Sequence, residues 1–208
     1  GIQMRQLNTA ANFSETVAMG AVTMGGTLST GKITFQSKGV GGTQTLLLHS
    51  DITTNAVPNQ SSNVGSITDV IDLNGHTFSM TANALYTLSS AGLGVWNLMN
   101  SDAAHAGIIS AIGFNLSGPT GGSSVGSNVN LLALSGGQTN TLSNANGGTI
   151  AADSTFTYAP TTSVATASTL SSSPRTIGNL AVNAGTLNLG TNITTAASST
   201  TSVAAGAT

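Results

Sequence analysis

Apolar residues alternate with small polar residues over much of this chain, in short runs that glycine or asparagine separates. The segment 176–194 shows the pattern most clearly, with Leu180 and Val182 in one run and Leu187 and Leu189 in the next. Alternation with a period of two is typical of strands that bury one face. The sequence therefore predicts that Leu187 and Leu189 face a core, in strands of about three to five residues.

The same reasoning predicts further strands along the chain. They cover residues 17–19, 21–24, 33–35, 43–48, 69–73, 76–80, 85–88, 95–99, 114–116, 129–134, 149–151, 155–158 and parts of 180–189. Three consecutive leucines at 46–48 predict a strand that packs on both faces. Helix and strand are equally favoured for residues 101–112, because Ser101 can cap a helix whereas Gly107 and the β-branched isoleucines oppose one.

Two segments bear on how the strands connect. Residues 58–68 are predicted as a loop, since Pro58 ends the segment before it. Asn74-Gly75 lies between two apolar runs, and this dipeptide is the strongest short signal for a β-hairpin. The same dipeptide also suits the corner of a solenoid, so both connections stay open.

Many short strands with glycine or asparagine at the corners are typical of a coil of parallel strands that stack rung on rung. The predicted fold class is all-β, a parallel β-helix or solenoid, with a β-sandwich-like fibre subunit as the alternative. About 20 residues per coil and ten coils would make a rod about 50 Å long. Residues 1–208 are predicted to form one elongated domain or part of a longer one, more apolar over 1–135 and rich in Ser, Thr, Gly and Ala over 136–208.

Three stretches resemble passenger-type repeats of large bacterial surface proteins, the autotransporter-associated β-strand repeat family. They are Asp-Val-Ile-Asp-Leu-Asn-Gly-His-Thr-Phe at 69–78, Gly-Gly-Thr-Leu-Ser-Thr-Gly-Lys-Ile-Thr-Phe at 25–35 and Asn-Ala-Gly-Thr-Leu-Asn-Leu-Gly at 183–190. The resemblance implies a right-handed parallel β-helix on the cell surface, with adhesive or structural roles. Residues 85–114 depart from the family pattern, because they are unusually apolar for such a repeat.

The composition limits the classes of partner that the chain is expected to bind. Charged residues make up 5% of the sequence, against about 25% in an ordinary globular domain. Four cationic residues are too few to follow a phosphate backbone, which argues against binding of nucleic acid. The sequence has no run of 18 or more apolar residues, so no membrane span is predicted in this segment. A nearly uncharged β-rich surface is expected to associate with other copies.

The chemistry of the side chains gives no candidate for catalysis, for a cofactor or for a metal. The chain lacks cysteine, so no disulfide or thiolate site forms. His49, His76 and His105 are far apart in the sequence and lack the spacing of a zinc site. Asp69 and Asp72 are three residues apart on a predicted strand, which places them on opposite faces.

The predicted function is structural. We expect a component of the bacterial cell surface, an adhesin stalk or a segment of an extracellular filament, located at the cell surface or outside the cell and without catalytic activity. The first alternative is a self-assembling subunit of an extracellular fibre or sheath, in which residues 1–16 or 196–208 add a strand to the next copy. A distant alternative is a β-helix enzyme that acts on polysaccharides.

The expected partners are further copies of the chain, as a homo-oligomer or filament, or the rest of a longer chain, with surface glycans as a further partner class. Three residues are candidates for contacts between subunits. Trp96 is a lone tryptophan flanked by Val, Leu and Met, which favours a core position or a subunit contact. Leu187 and Val203 lie in the charge-poor half, which lacks the lysines that usually protect exposed strand edges.

Overall fold

The computed structural model describes residues 2–6, 15–19, 22–24, 33–37, 41–54, 58–60, 68–80, 85–87, 95–116, 124–142, 148–161, 167–172, 176–190 and 193–208. All regular structure in these residues is β-strand. Every ladder between the described strands is parallel. The predicted parallel β-solenoid is therefore confirmed, and the β-sandwich alternative is wrong.

The strands are short and follow one another closely along the chain. The first nine are β1 (Ile2–Gln6), β2 (Glu15–Met19), β3 (Val22–Met24), β4 (Ile33–Ser37), β5 (Thr43–Leu48), β6 (Ile52–Thr54), β7 (Asn59–Gln60), β8 (Thr68–Asp72) and β9 (Thr77–Met80). The next seven are β10 (Leu85–Thr87), β11 (Val95–Met99), β12 (Gly107–Ala111), β13 (Gly113–Asn115), β14 (Ser124–Val125), β15 (Val129–Ala133) and β16 (Thr139–Thr141). The last seven are β17 (Thr155–Tyr158), β18 (Ser168–Ser171), β19 (Thr176–Ile177), β20 (Asn179–Val182), β21 (Leu187–Leu189), β22 (Thr194–Thr195) and β23 (Thr201–Val203).

The strands visit three faces in a fixed order, and each round of three faces is one coil. Face A carries a three-stranded sheet, β1-β4-β7, followed by a five-stranded sheet, β10-β13-β16-β18-β21. Face B carries β2-β5-β8-β11-β14, the bridge between Val125 and Ile150, and the pair β19-β22. Face C is a single eight-stranded sheet, β3-β6-β9-β12-β15-β17-β20-β23. The described strands therefore form eight coils.

The coils differ in length. Partners on adjacent strands of face C are separated by between 21 residues, from Leu180 to Thr201, and 31 residues, from Thr77 to Ile108. The expected ten coils of about 20 residues are therefore wrong, because loops of different length are inserted between the strands. Eight coils at about 4.8 Å per rung give a stack about 38 Å long.

The core is built from side chains that repeat in register from coil to coil. On face C one inward row runs through Ile52, Phe78, Ile109, Leu131, Phe156, Leu180 and Thr201. Its members from Ile52 to Leu180 are at most 3% exposed. Parallel pairing in register places like side chains above one another, so apolar surface is buried continuously along the stack.

The Asn74-Gly75 dipeptide forms a corner and not a hairpin. His76 N donates to Leu73 O at 2.8 Å, and both central residues have positive φ, 46° at Asn74 and 77° at Gly75. These angles are those of a tight type I′ turn, which asparagine and glycine adopt most readily. The flanking strands β8 and β9 pair with strands of other coils instead of with each other.

The open choice between helix and strand at 101–112 is decided for strand, since an irregular corner at 101–106 leads into strand β12. Three other local predictions need correction. Leu47 is only partly buried while Leu46 and Leu48 are fully buried, so β5 packs on one face instead of two. Residues 59–60 are a short strand, β7, within the predicted loop. The predicted strand at 149–151 is reduced to the single bridge at Ile150.

Candidate functional site

The turns that lead from face B to face C stack into one column, which we call the B–C corner. Its turns contain residues 49–51, 73–76, 100–106, 126–128, 151–154, 178 and 196–200. All three histidines of the sequence lie in this column, together with Asp51, Asp102 and Asp153. Stacking of the coils thus brings together polar side chains that are far apart in the sequence.

Asparagine side chains connect one coil to the next along this corner. Asn74 Nδ2 donates to Leu48 O at 3.0 Å, and Asn100 Oδ1 accepts from Gly75 N at 2.7 Å. Asn100 Nδ2 donates to Asn128 O at 3.2 Å, one coil further on. Each contact satisfies a main-chain group that leaves the strand ladder at the turn. This ladder of asparagines stabilises the corner and fixes the vertical register of the coils.

The corner at 100–106 is longer than its neighbours, and Asp102 holds it in shape. Asp102 Oδ1 accepts from Ala104 N at 2.7 Å and from His105 N at 3.2 Å. Asp102 Oδ2 accepts from His105 Nδ1 at 2.8 Å. The hydrogen bond from the His105 side chain is the main reason that the pKa of Asp102 lies below its ordinary value.

Two more acidic residues make contacts between coils at the same corner. Asp51 Oδ1 accepts from Thr77 N at 2.9 Å and lies 3.6 Å from His76 Nδ1. Asp153 accepts a hydrogen bond from Ser127 Oγ. The His76 side chain is 33% exposed and that of Asp51 is 72% exposed, so this contact at the surface contributes little to stability.

The His105–Asp102 pair resembles half of a general acid–base arrangement, in which a carboxylate orients an imidazole. The neighbouring hydroxyls are engaged elsewhere, because Ser101 Oγ donates to Asn74 Oδ1 and Ser127 Oγ donates to Asp153. In the part of the chain that the structure describes, no group of three or more His, Asp or Glu side chains could hold a metal ion. The contacts that His105 and Asp102 make are therefore those that hold the turn in shape.

The three predicted contact residues lie in different surroundings. Trp96 is 1% exposed, on the inward side of β11, and its ring meets Phe35 edge-on at a centroid distance of 4.9 Å. Leu187 is 7% exposed and belongs to the core, whereas Val203 is 56% exposed in the last coil. The interior position of Trp96 favours the core reading of this residue, and Val203 is the one of the three that offers surface.

Asp69 and Asp72 do not form a carboxylate pair. Asp69 is fully buried on the inward row of face B, in register with Gln44 and Trp96. Asp72 Oδ1 accepts from Asn74 N at 3.1 Å and from Ser101 N at 2.9 Å, at the start of the B–C corner. The prediction that they occupy opposite faces agrees with this geometry.

Comparisons with models of protein families, with curated protein sequences and with solved structures find no match to this chain. The resemblance to the autotransporter-associated β-strand repeat therefore stays a prediction. Among the residues that the structure describes, no helix is long and apolar enough to cross a membrane.

Proposed function

We propose that this chain is a structural component of the bacterial cell surface, a segment of an adhesin stalk or extracellular filament without catalytic activity. The observation that carries the proposal is face C, one uninterrupted sheet of eight parallel strands through all eight coils. In a stack of this kind each coil contacts its neighbours alone, so the fold extends along one axis by repetition. Such a fold is suited to the role of a spacer within a stalk or filament.

The outer surface of face C supports the same role. Its outward positions carry small polar side chains that bond to one another, as where Ser110 Oγ donates to Ser79 Oγ at 2.9 Å. Thr157 Oγ1 donates to Asn130 Oδ1 at 2.9 Å in the same way. Ser110 and Thr157 are only 5% and 6% exposed, so these bonds satisfy covered polar groups between coils without ionic side chains, which fits a chain with 5% charged residues.

The size of the stack favours a segment over a complete stalk. Eight rungs span about 38 Å, which is close to the width of a small domain. A structure that reaches away from a cell at this width needs many coils in series. The proposal therefore concerns a unit of a longer assembly, built either from further copies or from a longer chain.

The location is tested by labelling intact cells of the source bacterium with an antibody raised against the 208-residue chain. We expect gold label on unpermeabilised cells, and loss of the label after brief treatment of the cells with protease. An antibody against a cytoplasmic protein serves as the control for intact envelopes. Label that appears only after permeabilisation would contradict the proposal.

The exposed His105–Asp102 pair keeps an enzyme that acts on polysaccharides as the second candidate. Incubation of the purified chain with plant and bacterial polysaccharides should release no reducing ends. A catalyst would release them, and its activity would be lost in His105→Ala and retained in Met99→Ala, a matched change at an exposed site on face B. That result would replace the structural proposal.

A further inference from the structure

The turn at Asn74-Gly75 in the B–C corner contains a chemically labile dipeptide. When glycine follows asparagine, the main-chain nitrogen of the glycine can attack Cγ of the asparagine side chain. The new C–N bond closes a succinimide ring, and the bond from Cγ to Nδ2 breaks, which releases ammonia. Water then opens the ring to aspartate or to isoaspartate, so the net reaction consumes water and yields ammonia. Glycine favours this reaction because it has no side chain to shield its nitrogen.

The corner requires this dipeptide for its shape. Asn74 and Gly75 have φ values of 46° and 77°, a region that asparagine and glycine adopt most readily. A Cβ at position 75 would also lie 2.7 Å from Asp102 Oδ2 and 3.2 Å from His105 Cβ. A bulkier residue that would slow the reaction therefore does not fit, and the geometry of the turn brings the lability with it.

The attacking nitrogen is occupied in the stacked coils. Gly75 N donates to Asn100 Oδ1 at 2.7 Å, and Asn100 belongs to the following coil. Asn100 is itself held in place, because its Nδ2 donates to Asp102 O and to His105 O, both at 2.8 Å. The attack needs a deprotonated nitrogen, which would face the Asn100 carbonyl oxygen without a proton between them. The hydrogen bond therefore keeps Gly75 N in its unreactive form.

The side chain under attack is fixed at both of its polar atoms. Asn74 Nδ2 donates to Leu48 O of the preceding coil at 3.0 Å. Asn74 Oδ1 accepts from Ser101 Oγ of the following coil at 3.2 Å. The reaction moves Cγ out of the amide plane and removes Nδ2, so it proceeds only when these contacts are given up. Contacts to both neighbouring coils thus oppose the reaction.

The products do not fit the corner that the amide occupies. A carboxylate at position 74 has no proton to donate and would place an oxygen against Leu48 O. It would also add a second negative charge beside Asp72, whose Oδ1 accepts from Asn74 N at 3.1 Å. Isoaspartate lengthens the main chain by one carbon inside a turn that the bond from His76 N to Leu73 O closes at 2.8 Å. Either product opposes closure of the turn.

We propose that Asn74-Gly75 is a self-modification site, which the stacked coils hold unreacted through Asn100 and whose reaction keeps the corner open afterwards. Local opening of the corner frees both reacting groups. Reaction with solvent water then converts a transient opening into a permanent change of the turn. The inference goes beyond the structural role, and it depends neither on location in the cell nor on a partner.

The first experiment compares the folded 208-residue chain with the chain unfolded in guanidinium chloride, at the same pH and temperature. Peptide mass spectrometry gives the rate at which Asn74 becomes aspartate and isoaspartate. We expect this rate to be at least about tenfold lower in the folded chain, because the reaction needs an opened corner. The second Asn-Gly pair, at 146–147 and outside the described residues, shows in the unfolded chain that the conditions support the reaction. Equal rates at Asn74 in both samples, or no reaction there in the unfolded chain, would overturn the proposal.

The second experiment removes the acceptor of Gly75 N. We expect Asn100→Ala to raise the rate at Asn74 in the folded chain about tenfold, because it removes one hydrogen bond. The matched control is Asn128→Ala at the same corner, where the Nδ2 atom donates to His105 O at 3.1 Å. Asn128 has a φ of 54°, an angle that alanine tolerates poorly, so the control also loosens the corner. Its rate should equal that of the wild type. An unchanged rate in Asn100→Ala, or an equal rise in both variants, would overturn the role of Asn100.

A milder variant covers the case in which Asn100→Ala does not fold, as judged by circular dichroism. Ser101→Ala removes the hydroxyl that donates to Asn74 Oδ1, at an exposed position, and keeps the bond from Ser101 N to Asp72 Oδ1. We expect the rate at Asn74 to rise at least about twofold. Ser127→Ala, at another exposed serine of the same corner, should react as the wild type does. Equal rates in the two serine variants would overturn the protection by the following coil.

The permanence of the change is tested with a variant that imitates the product. Asn74→Asp places the carboxylate in the turn, and Asn74→Gly is its control, since glycine adopts the same φ and removes the same donor without a charge. We expect Asn74→Asp to melt at a lower temperature than Asn74→Gly at neutral pH. A melting temperature equal to or above that of Asn74→Gly would show that the product fits the closed corner, which would overturn the proposal that the reaction keeps it open.

Discussion

Gly178 lies at the B–C corner, where a side chain has no room. A Cβ at this position would lie 2.8 Å from both Ala151 O and Ala152 O and would also collide with Ser154 O. These are main-chain atoms of the preceding coil, so they cannot turn aside as a flexible side chain can. We expect Gly178→Ala to lower the free energy of unfolding by about 1–3 kcal/mol, measured by chemical denaturation.

Gly206→Ala is the comparison for that variant. Gly206 has a φ of 82°, but a Cβ there would meet nothing within 4 Å. The loss of stability in Gly206→Ala comes from the backbone angle alone and should be about 1 kcal/mol. A Gly178→Ala protein as stable as the wild type would show that the corner can widen, and that stacking at this position is loose.

Asp102 makes stability depend on pH. Its pKa in the folded chain lies below the ordinary value of 3.8, chiefly because of the hydrogen bond from His105. The carboxylate therefore stabilises the fold above the unfolded pKa, and this contribution is lost as the pH falls through the folded pKa. We expect the melting temperature of Asp102→Asn to lie below that of the wild type at neutral pH and to converge with it in strong acid. Parallel melting curves at every pH would contradict this role.

The B–C corner itself was not predictable from the residues one at a time. His49, His76 and His105 look isolated in the sequence, because stacking and not local spacing brings them into one column. A signal does exist in the separations of the residues that bond across coils, which are 25 to 28 residues. An assumed coil of about 20 residues conceals that period.

At the scale of the strand, the longer apolar elements follow the sequence closely. Alternation predicts β5, β11 and β17 with the bounds that the structure shows. Polar strands such as β16 and β22 are missed, since Thr139–Thr141 and Thr194–Thr195 contain no apolar residue. Their extended conformation follows from pairing with the neighbouring coil, which overrides weak local preference.

The even choice between helix and strand at 101–112 is settled by packing. A Cβ at Gly107 would lie 2.8 Å from Leu73 Cδ1 and 3.0 Å from Asn100 Cγ, so the main chain of β12 begins close against the corner of the previous coil. Gly107 N donates to Asn128 O at 3.1 Å, a partner in the next coil. A helix would satisfy that donor internally and would break the stack.

Leu187 and Leu189 should respond differently to a charge. The sequence predicts that both face the core, yet Leu187 is 7% exposed and Leu189 is 55% exposed. Leu187→Asp buries a carboxylate without a partner and should cost several kcal/mol of stability. Leu189→Asp should leave the unfolding of the dilute monomer nearly unchanged, as followed by circular dichroism. Equal destabilisation by both would mean that Leu189 is covered in solution.

For the whole molecule, the sequence predicts the class of fold but not its dimensions. Short alternating runs with Gly or Asn corners indicate a parallel solenoid, since few other architectures accept so many brief strands. The number of coils depends on insertions between strands, such as the long corner at 100–106, and no strict repeat marks them. Face C crosses from β15 to β17 without interruption, so the change in composition near residue 136 does not divide the stack.

A stack of coils with open ends should exchange its amide hydrogens unevenly. Middle coils are paired on both sides, whereas β23 is paired with β20 alone in the described sheets. Stability in such one-dimensional arrays is the sum of contacts between neighbours, so the last coil opens most easily. In the dilute monomer we expect amides of Thr201–Val203 to exchange at least about tenfold faster than those of Thr155–Tyr158, as measured by mass spectrometry. Protection of the last coil that equals the middle coils in a proven monomer would mean that another part of the chain covers this end.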